Sequence, residues 1–153
     1  MAPCEANPYA TVKTFFVTST ESSRLVPGTL SRAVFEANYT GADVNYIFFD
    51  IPNLAGTAEI LLTESLFIAR LMILDATTQP GYHGRPLIRI NANGLDSAIL
   101  LVGNVAGIPP YSDGSVATSR GNPGIRLVQP ASAGSTIQGF HISRSRCSRR
   151  RWC

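Results

Sequence analysis

Residues 124–142 read GIRLVQPASAGSTIQGFHI. In GIRLV, Ile125 and Leu127 flank Arg126, and in STIQGFHI the apolar side falls to Ile137, to Gly139 or Phe140, and to Ile142. A period of two describes a strand with one dry face and one wet face. The PASAG that joins the two units carries no helical pattern and no Asn-Gly pair. The same apolar-x-apolar unit occurs around Arg89 in PLIRINA, 86–92. Further strand-like segments precede it: TVKTFFVTS (11–19), VNYIFFDI (44–51), AEILL (58–62), LFI (66–68) and LMILDA (71–76). AILLV (98–102) follows it. Their separators are rich in Asn, Gly, Asp and Pro, yet Asn-Gly occurs once, at Asn93-Gly94, so two-residue hairpins are not the general connection.

One segment changes period. In GTLSRAVFEAN, 28–38, Leu30, Ala33, Val34 and Ala37 stand at i, i+3, i+4 and i+7 and share one helical face. Thr29 is the expected N-cap, with Arg32 at the place a capping box gives to Glu, and Asn38 with Gly41 is the expected stop. Short strands that follow one another without crossover helices or hairpins have one economical arrangement, winding into a solenoid. Each strand then stacks on its equivalent one coil later, about 4.8 Å away. The irregular repeat leaves an antiparallel sandwich open. Within a solenoid, Asn45, Asn91 and Asn104 are expected to stack at the corners as a hydrogen-bonded ladder.

Several strings together carry a resemblance. FVTSTESSRLVPGTLSRAVFEAN, then NYIFFDIP, EILLTESLFI and LMILDATTQPGYHGRPLIRINA resemble the N-terminal region of secreted bacterial right-handed parallel β-helix proteins of the pectin-lyase-like superfamily. The most specific part is Thr77-Thr78-Gln79-Pro80-Gly81-Tyr82, preceded by Asp75 and by Ala76 where that family has Gly. GIRLVQPASAGSTIQGFHI is similar to a following coil, and the likeness spans roughly residues 14–142. Departures are Ala76, the Ser31-Arg32 order in the helix, and the tail. The resemblance implies an all-β chain, a short right-handed parallel β-helix of few coils with one N-terminal amphipathic capping helix. It also implies a truncated chain from a secreted or cell-surface protein.

A capping helix makes physical sense, because the end of a solenoid exposes unpaired backbone and apolar interior. The domain expectation is a flexible N-terminus (1–10), a capped β-helix (11–143) and a basic tail (144–153) that is disordered or frame-shifted. No second cap is visible, so self-association through an uncapped C-terminal edge is expected.

Charge is unevenly placed. Residues 1–143 hold eight Lys or Arg against ten Asp or Glu, a net of −2, while Arg144, Arg146, Arg149, Arg150 and Arg151 bring the formal total to +3. The basic character therefore belongs to the tail alone, and no nucleic-acid partner is inferred from it. At 15% charged residues and 44% hydrophobic, the chain falls outside the range of disordered proteins. No apolar run is long enough to span a bilayer, so membrane insertion is not expected. MAPCEANPYA lacks the basic and apolar regions of a signal peptide. Cys4, Cys147 and Cys153 form neither a CxxC ligand pair nor an even disulfide framework, so neither a zinc site nor any other metal or cofactor is expected.

Candidate chemistry is sparse. Asp43, Asp50, Asp75, Asp96 and Asp113 form no close cluster and each borders a turn signal, where Asp usually caps its own backbone. His83 falls in a turn and His141 in a strand, without the order of a nucleophilic triad. Arg89 and Arg126 hold wet positions in similar strand units and are expected to share an outer face that recognises acidic sugars. Tyr82, at the turn, is the aromatic expected to contact such a ligand. These three are the candidate ligand-binding residues, and no catalytic residue is assigned. The expected role is a non-catalytic structural or binding module contacting polysaccharide or cell-surface glycan. The alternative is a fragment of a polysaccharide lyase or glycoside hydrolase whose active coils lie downstream.

Overall fold

The computed structural model describes residues 10–95, 98–101, 125–127 and 135–143, with the backbone alone described at 101 and 125–127. Residues 1–9 with Cys4, together with Asp96, Asn104, Asp113 and the basic tail with Cys147 and Cys153, lie outside that set.

The strand signals become β1 (Val12–Val17), β2 (Val44–Phe49), β3 (Ala58–Leu61), β4 (Leu66–Ile68), β5 (Met72–Asp75), β6 (Ile88–Asn91) and β7 (Ile99–Leu101). They continue as β8 (Ile125–Leu127), β9 (Thr136–Gln138) and β10 (Phe140–Ser143), and helix α1 (Leu30–Tyr39) lies between β1 and β2. Every pairing is parallel. The first sheet has the order β1-β2-β5-β9, the second β3-β6-β10 and the third β4-β7-β8. From β2 the chain visits first, second and third sheet in turn, then repeats the circuit with β5, β6 and β7. β8 re-enters the third sheet beside β7, and β9 and β10 resume the first and second. The fold is mainly β, in parallel sheets with one helix, so the antiparallel sandwich is excluded for these strands.

Register explains the core. Phe15, Ile47, Leu74 and Ile137 are paired in one row across the first sheet. Ala58, Ile88 and Phe140, then Ile60, Ile90 and Ile142, form rows in the second sheet, and Leu66 pairs with Ile99 in the third. Side chains from all three sheets meet in one apolar cluster. Burying each Ile or Leu there contributes roughly 1.5–3 kcal/mol by area, an upper estimate given residual burial in the unfolded chain.

Residues 135–142, read above as one strand, are two strands in two sheets. The chain turns the corner between β9 and β10 at Gly139, whose φ of 78° suits glycine. A Cβ there would stand 2.7 Å from the Thr77 amide nitrogen, so the corner also packs directly on the backbone after β5.

The helix falls where its periodicity placed it. Thr29 Oγ1 accepts from the Arg32 N–H at 3.1 Å as N-cap, and Leu30, Ala33, Val34 and Ala37 are buried. Arg32 instead pairs with Glu36 one turn on, at 2.7 Å. The stop differs from the reading: α1 runs on to Tyr39, with Thr40 as C-cap and Gly41 following at φ 69°. Asn38 is buried inside the helix, and its carboxamide donates to Phe67 O at 2.8 Å and accepts from Ala69 N–H at 3.0 Å. It thereby does for the edge of β4 what a neighbouring strand would do. The expected asparagine ladder is absent as drawn, because Asn45 belongs to β2 and Asn91 to β6, strands of different sheets. Among the described residues no helix is long and apolar enough to cross a membrane.

Candidate functional site

The second sheet carries the most polar outer surface that can be traced residue by residue. Its strands place apolar residues inward on either side of one outward position: Glu59 between Ala58 and Ile60, Arg89 between Ile88 and Ile90, and His141 between Phe140 and Ile142. Parallel register aligns these three into a row, Glu59–Arg89–His141, across adjacent strands. The Glu59 carboxylate lies 3.3 Å from Arg89 Nε and accepts from Asn91 Nδ2 at 3.0 Å. Arg89 Nε also donates to Ser143 Oγ at 3.1 Å, from the adjacent β10. Among the described residues both contacts are made at Nε; a guanidinium also carries two terminal nitrogens, the end that grips a carboxylate with two parallel bonds. His141 is exposed beside it. The pair with Glu59 is half-exposed and stabilises the fold by only about 0.2–1 kcal/mol; its larger effect is to orient the arginine.

Arg126 does not join this surface. It lies in β8, paired with Leu100 in the third sheet, so the expected common outer face with Arg89 is not formed. The reason is topological: identical strand patterns occur in all three sheets, and the pattern alone does not say which sheet a strand enters.

Tyr82 closes a turn whose role is structural. After β5, Ala76–Thr78 forms a single 3-10 turn capped by Asp75, whose carboxylate accepts from the Thr77 amide at 2.9 Å and from the Thr77 hydroxyl. Thr78 Oγ1 accepts from Phe49 N–H at 2.8 Å. Gln79, buried, accepts from Ile51 N–H at 2.9 Å and donates to Ile51 O at 3.0 Å. Tyr82 N–H then donates to Gln79 O at 3.1 Å. The Thr-Thr-Gln string thus ties the corner after β5 to the corner after β2, and Asp75 caps its own backbone as its turn setting suggested. His83 and Arg85 are exposed on the loop that leads into β6, with Tyr82 half-buried between them and the latch.

Two features escaped the residue-level reading. Glu59 and His141 were not grouped with Arg89, although each is the polar centre of its own apolar-x-apolar unit. The other is an aromatic strip on the outer face of the first sheet. Phe16 and Phe48 are register partners with ring centroids 6.1 Å apart at 70°, and Tyr46 and Phe48 are 5.5 Å apart at 52°. Its signal was in TFFV and YIFF, apolar on both faces of a strand. Among the described residues no three His, Cys, Asp or Glu side chains converge as metal ligands would.

Comparisons with family models, with curated proteins and with solved structures return no match.

Proposed function

We propose that the chain is the capped N-terminal part of a right-handed parallel β-helix from a secreted or cell-surface protein, serving as a structural and glycan-contacting module. What supports the architecture is the rotation of successive strands through three sheets with every neighbour parallel. The buried face of α1 against β1 and β4 supports the cap. The resemblance carried by Thr77–Tyr82 agrees with both and supplies the localisation.

The observation that carries the ligand class is Arg89, oriented through Nε by Glu59 and Ser143 in the outer row of the second sheet. A guanidinium so held suits the carboxylate of a uronic acid, with His141 as its register partner on the neighbouring strand. Arg126 has no part in this surface. Among the described residues β8, β9 and β10 are each paired on one side only, the side facing the preceding coil.

The test is titration of the full chain with pectate, alginate and chondroitin against neutral glycans. Retention of the acidic polymers, lost in Arg89→Ala and salt-sensitive in the wild type, is the expected result. Equal retention by Arg89→Ala removes the site, and release of unsaturated products would make the protein a lyase instead.

A further inference from the structure

The end of the molecule that carries α1 is closed unevenly. Asn38 satisfies the edge of β4 at Phe67 and Ala69. The 19–28 segment is tied to the β3–β4 connection, with Thr63 N–H donating to Ser22 Oγ at 3.3 Å and Thr63 Oγ1 donating to Ser22 O at 2.8 Å. β1 has no such cover over most of its length. Val12 is 58% and Phe16 57% exposed, Lys13 and Thr14 are exposed, Phe15 is half-buried against the core, and Val17 is fully buried. Among the described residues no strand pairs with the side of β1 away from β2.

Parity fixes which groups that free edge offers. Thr11 O accepts from Val44 N–H at 3.1 Å and Val17 O from Asp50 N–H at 2.9 Å, so the odd-numbered residues turn their backbone groups to β2. Val12, Thr14 and Phe16 therefore present theirs outward from the edge, and the same residues carry the side chains of the sheet's outer face. An exposed six-residue edge that carries Val12 and Phe16 is a template for another strand.

We infer that this edge docks a second copy of the chain, β1 against β1, antiparallel about a two-fold axis at Thr14. In that register Val12 faces the second copy's Phe16, Thr14 faces Thr14, and Lys13 faces Phe15. Each of the 12–16, 14–14 and 16–12 pairs exchanges two hydrogen bonds. Outer faces stay with outer faces, which a one-residue slip would destroy. The two-residue slips are worse: one sets Lys13 against Lys13, and the other leaves Val12 unpaired with fewer bonded pairs. Aromatic–β-branched and Thr–Thr neighbours are favourable cross-strand pairs. The second copy's Val12 would also lengthen the strip begun by Phe16, Phe48 and Tyr46. A C2 contact of this kind is self-limiting, since it uses up the β1 edges of both copies. The inference goes beyond the glycan reading and does not depend on it.

Sedimentation velocity of the full chain over a concentration series tests it, with Thr14→Glu and Thr14→Lys as variants. Thr14 is exposed on the outer face, so both keep the wild-type circular dichroism. Each places like charges directly opposite across the axis and weakens dimerisation about tenfold or more at low salt. An equimolar mixture of the two restores association, because only at a two-fold axis does residue 14 meet itself. Amide protection at Val12, Thr14 and Phe16 rises with concentration in the wild type. A monomer at every concentration overturns the assignment. So does association that survives both single variants, which would place the contact away from β1, and so does a mixture that fails to recover.

Discussion

Gln79→Leu isolates the hydrogen bonding of the corner latch from its packing. Gln79 is buried, and its carboxamide meets both polar groups of Ile51, accepting from N–H at 2.9 Å and donating to O at 3.0 Å. Leucine has nearly the same bulk, so little cavity forms, but the N–H and C=O of Ile51, itself buried, lose their partners. A buried backbone group left unsatisfied costs about 1–3 kcal/mol, so the substitution should remove about 2–5 kcal/mol. That is a large part of the roughly 5–15 kcal/mol that holds a domain folded. With a urea m-value of about 1–3 kcal/mol/M, the midpoint should fall by roughly 1–3 M while m stays constant. Gln79→Ala should cost more, because it adds a cavity to the same loss. The assay is equilibrium urea unfolding followed by circular dichroism. A Gln79→Leu midpoint within about 0.3 M of wild type, equivalent to roughly 0.5 kcal/mol at such m-values, would show that the latch contributes little. The string Thr77–Tyr82 would then have to be explained by ligand contact instead.

Gly139→Ala should destabilise by about 2–4 kcal/mol in the same assay, from left-handed backbone strain and overpacking together. Its φ is 78° and the new Cβ would meet the Thr77 amide nitrogen at 2.7 Å; a cost below about 1 kcal/mol would contradict the tight corner. Asn38→Ala should lose about 1–3 kcal/mol and speed amide exchange at Ala69, whose N–H it leaves without the side-chain acceptor. Unchanged exchange at Ala69 would refute the edge-capping role. Asp43 is held below the ordinary carboxylate range first by the Thr11 N–H and then by the Thr11 hydroxyl. A depressed folded-state pKa adds stability that is complete above the unfolded value, about 3.9, and is lost as pH falls through the lower folded value. The Thr11 amide should accordingly shift and lose protection only in strong acid, and in Asp43→Asn that acid transition should vanish; NMR of Thr11 between neutral pH and pH ~2 checks it.

How far the sequence carried depended on whether the deciding interaction was local. Alternation, with β-branched and aromatic runs, located the segments that hold the described strands, although β9 and β10 were read as one, because the in–out phase of a strand is set by its neighbours in the chain. The helix face of Leu30, Ala33, Val34 and Ala37 was legible for the same reason. The helix stop was not. Asn38 looks like a C-cap within its own segment, but its carboxamide answers Phe67 and Ala69, some thirty residues on, and nothing local announces that demand. Gly139 misled in the opposite sense. Ile137, Phe140 and Ile142 keep one apolar side in sequence, and they still point to one core when a corner separates them, so the pattern survives a change of sheet.

The site shows the same limit in its functional form. Arg89 was singled out as the wet centre of a dry unit, yet Arg126 is the wet centre of an equally dry unit and lies in another sheet. What separates them is the length of chain between corners, which decides the sheet a strand enters. Once β3, β6 and β10 are known to be neighbours, Glu59 and His141 follow immediately as the residues on either side of Arg89. Parallel stacking therefore turns positions about thirty and fifty residues apart into one surface whose spacing is fixed by the backbone, about 4.8 Å per strand. Function in such an architecture is written in rows across strands rather than along them. The Glu59 carboxylate matters here less for its charge than for holding the Arg89 guanidinium at Nε, because that constraint fixes the arginine within the row.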